Sequence, residues 1–147
     1  MECINELIAE LSWDNSLEVQ EEAIEKLLKI DEEYVTMLLQ PYDKKYWENS
    51  AKVLKALDYP QNSRAIPGMF RWLRDMNWPG AWIIMEVLQN IDKKIILPYL
   101  EDAIIIAKKE DDDMWIMALR ELALNRLRVK SSELKNPEII RILVCNI

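Results

Sequence analysis

The chain has 147 residues, half of them apolar, a net charge of −7, and no histidine. That much apolar material can build a core without disulfides or metals and argues against disorder. With two glycines and no histidine, the sequence lacks a phosphate-cradling loop, a His-based triad and the Glu-x-x-His ligands of di-iron bundles.

Leu, Ile, Glu, Lys and Ala dominate, so the expected class is all-α. Apolar residues recur at helical spacing, broken by short polar turns about every dozen residues, which is the pattern of stacked helical hairpins. In chain order, a helix over 2–12 pairs with one over 17–30, 32–40 with 46–57, 65–74 with 79–91, and 95–109 with 114–128. A last helix over 137–145 caps the row, giving four hairpins plus a C-terminal capping helix in a single domain, 1–147. The start, Met1 to Glu6, lacks the basic and apolar blocks of a signal peptide. AWIIM (81–85) and AIIIA (103–107) are too short to span a bilayer. Cys3 and Cys145 lie at opposite ends without framework spacing and read as free thiols in a reducing compartment. A cytoplasmic protein is expected.

The ends of the second helices repeat weakly. Leu27 to Asp31, Leu54 to Asp58 and Leu88 to Asp92 each read L-x-x-[I/L]-D, and Leu124 to Leu127 keeps the apolar pair with Arg128 in place of Asp. The apolar pair shares one helical face, and the Asp can end that helix or cap the next. Successive spacings of 27 and 34 residues suit a two-helix solenoid better than a four-helix bundle.

With Ala23, Ala51 and Ala81 as small residues inside the second helices, the chain resembles HEAT-like repeat proteins. The stretch from Trp72 to Pro79 is also similar to the W-L-x-D-x-N-W-P motif of a small bacterial HEAT-like family to which no activity attaches. The resemblance implies a right-handed α-α superhelix. It brings no catalytic residue with it.

RWLRDMNWPGAW (71–82) holds three of the six tryptophans around a Pro-Gly step. Pro79 suits a first helical turn, and Asp75 and Asn77 suit caps or turns. Trp72, Trp78 and Pro79 therefore read as a structural elbow whose indoles close the turn between two helices. Trp82 sits on a helix that is apolar nearly all round and is expected in the core, with a protein-binding hot spot as the alternative. The run Glu110 to Asp113 reads as a capped, solvated turn and lacks the spacing of a calcium loop.

Charge is unevenly spread. Residues 1–60 carry 14 acidic and 6 basic side chains, net −8, and residues 61–147 carry 12 and 13, net +1, with all seven arginines. The acidic half disfavours nucleic acid and anionic membrane and suits a basic partner. Aligning the second helices on their terminal Asp places Glu21, Glu48 and Trp82 at one equivalent position and Glu25, Lys52 and Glu86 at another. Both positions lie off the core face. This stripe is the candidate partner-binding surface, and ordinary solvated charge is the alternative. Glu21 with Glu25 lacks the apolar surroundings that acid–base work needs.

The expected function is a non-enzymatic protein-binding module that uses these six residues, without cofactor or metal, and neutralises a basic partner as a bacterial immunity protein would. Two other readings stay open: a small-molecule or hydrolytic site in a tryptophan-lined pocket, and a structural subunit of a larger assembly.

Overall fold

The computed structural model describes residues 3–145, the side chain of Cys145 excepted, and every regular element among them is helical. The eight α-helices are α1 Ile4–Ala9, α2 Leu17–Leu27, α3 Trp47–Leu57, α4 Ile66–Trp72, α5 Ala81–Gln89, α6 Lys93–Lys109, α7 Asp113–Arg120 and α8 Glu138–Cys145. Short 3-10 turns cover Glu32–Leu38, Lys44–Tyr46, Ser63–Ala65 and Ser131–Glu133, and α7 runs on into a π-helical stretch, Glu121–Arg126. No helix of the described residues is long and apolar enough to cross a membrane. Cys3 is an exposed free thiol, and the thiol expected at Cys145 lies outside the described residues.

Side-chain caps start three of these elements. Ser16 accepts the Val19 N–H at 3.3 Å to open α2, and Asp43 accepts the Lys45 N–H at 3.1 Å ahead of α3. Asp112 accepts the Trp115 N–H at 3.1 Å to open α7, so the acidic run is the capped turn its sequence suggests. The repeated Asp positions also fall at helix boundaries, though by two different means. Asp31 and Asp92 stand just before the 3-10 segment and α6 without a side-chain cap. Asp58 and Arg128 end their helices in left-handed backbone, at φ 63° and 53°. Backbone geometry therefore carries the stop signal at both, which is why Arg serves where Asp is absent.

The first member of the second hairpin, expected as a helix over 32–40, is a 3-10 segment. Its stretch Tyr34-Val35-Thr36 contains two β-branched residues, and extended backbone follows at Leu39, so an α ladder gains little there. Its Val35 and Leu38 are nonetheless buried, so the segment fills the same place against α3.

Each hairpin packs on the next. Helix α2 contacts α3, α3 contacts α5, and α5 contacts the π-helical stretch; on the other side α4 packs on α6, and α8 closes against α6 and α7. One core cluster runs through all of them, from Leu7 to Leu143. Ala23, Ala51 and Ala81 are fully buried, at the places where small residues let helices approach. Several polar groups in this core are tied, although Asn62 Oδ1 is buried without a partner. Asn49 donates to the Leu11 carbonyl at 2.7 Å and to Gln20 Oε1 at 2.8 Å, and Gln20 donates to the Asn15 carbonyl at 2.7 Å. Buried Glu101 on α6 accepts the backbone N–H groups of Lys135 and Asn136 at 3.0 and 3.1 Å, fixing the approach to α8.

Candidate functional site

The tryptophan-rich stretch divides into a scaffold and a surface. Trp72 is fully buried and donates through Nε1 to the Pro79 carbonyl at 3.1 Å. Trp47 on α3 meets Trp72 and Trp78 edge-on, with ring centroids 6.3 and 5.7 Å apart. Trp78 is half-buried against the core, so the elbow reading holds for both indoles and most fully for Trp72.

Pro79 does not open the helix, contrary to the first-turn expectation. The Ala81 N–H bonds the Trp78 carbonyl at 3.1 Å and Gly80 takes φ 84°, so residues 78–81 form a β-turn with Gly at its left-handed position. Helix α5 then starts at Ala81. A methyl on Gly80 would stand 2.8 Å from Ala51 Cβ and 3.0 Å from the Trp47 carbonyl oxygen. The turn is pressed onto α3.

Trp82 is the main correction. The core expectation fails: its side chain is 54 % exposed, because the buried positions of α5 are Ala81, Ile84, Met85, Val87 and Leu88, which leave Trp82 on the opposite side. It stands beside two further exposed apolar side chains, Met114 (58 %) and Met117 (65 %). Met76, Trp82, Met85, Met114, Met117 and Ala118 line an open groove of about 300 Å³. A second groove, of about 340 Å³, shares Trp82 and Met76 and reaches Glu48.

The indole is held, not loose. Arg126 lies over its ring, 5.5 Å from the centroid, and is itself fixed to Gln89 Oε1 at 2.7 Å and Glu121 Oε2 at 3.2 Å. Glu121 and Arg126 are five apart, and in an α-helix such residues point about 140° away from each other. The π-helical stretch brings them together, with the Leu127 N–H reaching back five residues to the Leu122 carbonyl at 2.8 Å. One local irregularity thus supports the exposed tryptophan.

The other expected site residues are on the surface as well. Glu21 and Glu25 are exposed on α2, Glu48 and Lys52 on α3, and Glu86 on α5 is half-buried. Glu86 pairs with Lys55 of α3 at 3.0 Å. The structure brings Glu48 and Trp82 to one groove, while Glu21, Glu25 and Lys52 line neither of the two grooves. The sequence reasoning missed Met76, Met114, Met117 and Arg126. A signal existed for the methionines of α7: its buried positions are Trp115, Ile116, Ala118 and Leu119, so two more apolar residues in one helical stretch had no core face left to occupy.

Chemically, the charged groups around the groove are engaged within the chain. Arg74 bridges Glu110 and Asp112 at 3.5 and 3.4 Å, Asp75 accepts the Asn77 N–H at 2.8 Å, and Glu121 is taken up by Asn125 and Arg126. They do not converge on a point inside it. An apolar floor rimmed by paired charges suits contact with another apolar surface.

Comparison with curated proteins and with solved structures returns no match. Residues 39–146, which hold the Trp72 to Pro79 stretch and the whole Trp82 groove, match a family model, and the chain belongs to that family, described as a domain of unknown function (DUF5071).

Proposed function

We propose that this chain is a non-enzymatic protein-binding module, built as a HEAT-like superhelix of hairpins, that engages another protein through the face of its second helices. The observation that carries this reading is Trp82: a tryptophan 54 % exposed, held by Arg126, between a methionine-lined groove and a second groove that reaches Glu48. Exposed aromatic anchors of this kind supply much of the energy of interfaces. Rigid support reduces what binding must order. Glu21, Glu25, Glu48, Lys52 and Glu86 form the surrounding charged surface, and the excess of carboxylates there favours capture of a basic partner. The absence of histidine and the inward pairing of the polar groups at the groove both weigh against a hydrolytic site in the same place.

The test is capture of a native partner from lysate by the wild type, Trp82→Ala, and the triple reversal Glu21→Lys, Glu25→Lys, Glu48→Lys. The same protein retained by the wild type and lost from both variants, with helical circular dichroism unchanged, supports the reading. A partner held equally by all three refutes it.

A further inference from the structure

Around the Trp82 groove the basic side chains are largely neutralised from within: Arg74 by Glu110 and Asp112, Arg126 by Glu121, and Lys55 by Glu86. On α2 and α3 the balance is reversed. Among the described residues Glu21, Glu25 and Glu48 are exposed and make no ion pair, against Lys52 on the same side, and residues 1–60 as a whole carry net −8. From α7 past Trp82 on α5 to α3 and its neighbour α2, the exposed side chains change in kind. They are apolar at Met114 and Met117 on α7, aromatic at Trp82, and acidic from Glu48 toward α2.

We propose that the occupant of this surface is an amphipathic helix of another protein, with large aliphatic side chains on one stripe and lysine or arginine on the flank that faces α3 and α2. The inference rests on the protein-binding reading and adds the chemistry of the partner. A groove of about 300 Å³ accepts one or two large aliphatic side chains, and successive anchors on a helix lie on one face at i, i+3 and i+4. Four of the six groove residues named above are methionines. Met85 is buried, but the unbranched, polarizable side chains of exposed Met114 and Met117 can repack around different anchors, so the groove selects apolar size more than one exact shape. Direction and register come from charge: cations on the partner's flank meet Glu48 in the second groove and the field of Glu21 and Glu25 beyond it. A helix with acidic flanks meets like charge on the same path.

Three synthetic helices of roughly fourteen residues, about four turns, test this. One carries leucines on one face and lysines elsewhere, the second replaces the lysines by glutamates, and the third replaces the leucines by serines. Binding is read by anisotropy of the labelled peptide and by the shift of tryptophan emission. The leucine–lysine helix is expected to bind saturably, with each of the other two weaker by at least about tenfold. Trp82→Ala, and separately Met114→Ser with Met117→Ser, should each weaken it by about tenfold or more, and Glu48→Lys by several-fold with a flatter salt dependence. All of these side chains are exposed, so circular dichroism should stay as in the wild type.

Equal binding of the glutamate helix, or no saturable binding of the lysine helix, overturns the proposal. So does lysine-helix binding that both groove variants leave unchanged, since the contact is then diffuse attraction to an acidic chain. None of these results touches the broader reading, which falls only when a native partner is captured regardless of Trp82 and the acidic residues.

Discussion

Replacing Gly80 by alanine should destabilise the protein through two separable effects. The backbone there is left-handed, at φ 84°, which costs an L-residue about 1–2 kcal/mol. The added methyl would also stand 2.8 Å from Ala51 Cβ, 3.0 Å from the Trp47 carbonyl oxygen and 3.1 Å from the Trp72 ring. Backbone and a buried indole cannot step aside freely, so overpacking adds about 1–3 kcal/mol. The expected total is about 2–5 kcal/mol, the sum of those two ranges. Urea denaturation followed by circular dichroism reads it as a lower midpoint at an unchanged slope. Ala51→Gly removes the nearest obstructing atom and leaves the other two and the backbone as they are. In a double-mutant cycle it should therefore recover only about 1 kcal/mol of the Gly80→Ala loss. A Gly80→Ala loss below about 1 kcal/mol would refute the close turn. Full rescue by Ala51→Gly would refute the backbone share of it.

Trp72→Ala should cost about 3–5 kcal/mol by the cavity it opens, with Trp78→Ala costing less because that ring is half-buried, and Trp82→Ala staying within about 0.5 kcal/mol; the three are compared by the same urea titration. Asn49→Ala leaves the Leu11 carbonyl and Gln20 Oε1 without their donor and should cost at least about 2 kcal/mol, read as a thermal-midpoint drop. For Glu133, the Lys130 backbone N–H, helped by Lys93, holds the carboxyl below its usual range. Its contribution to stability is thus present above the ordinary glutamate pKa and lost as pH falls through the lowered one. Its carboxyl carbon should titrate lower by NMR than a glutamate in an unfolded peptide, and Glu133→Gln should abolish that step.

Periodicity put a helix over nine spans, and among the described residues each of those spans holds a helical element, because helix positions here are set by which residues must be buried, and burial follows a 3.6-residue step. What it missed are departures from that step. The segment Glu32–Leu38 is a 3-10 turn, residues 78–81 form a turn that delays α5 to Ala81, and Glu121–Arg126 widens into a π-helix. Each depends on local backbone detail that an apolar pattern does not record. The candidate surface was legible in part for the same reason. Aligning second helices identified Trp82 and Glu48 as equivalent, and they do share a groove. The methionines came from a loop and from a helix of the following hairpin, some thirty positions on, and nothing in the repeat pairs those with Trp82.

The widened turn at Glu121–Arg126 makes chain length there a coupled variable. Deleting one residue would let the α-ladder close, and everything downstream would rotate by about 100° and draw back about 1.5 Å. Arg126 would then swing off the indole it holds, and α8, seated on α6 and α7, would have to dock afresh. A single deletion in this stretch therefore acts at two distant places at once, loosening the exposed tryptophan and unsealing the C-terminal end of the stack. A deletion in the exposed turn around Pro60 would disturb neither.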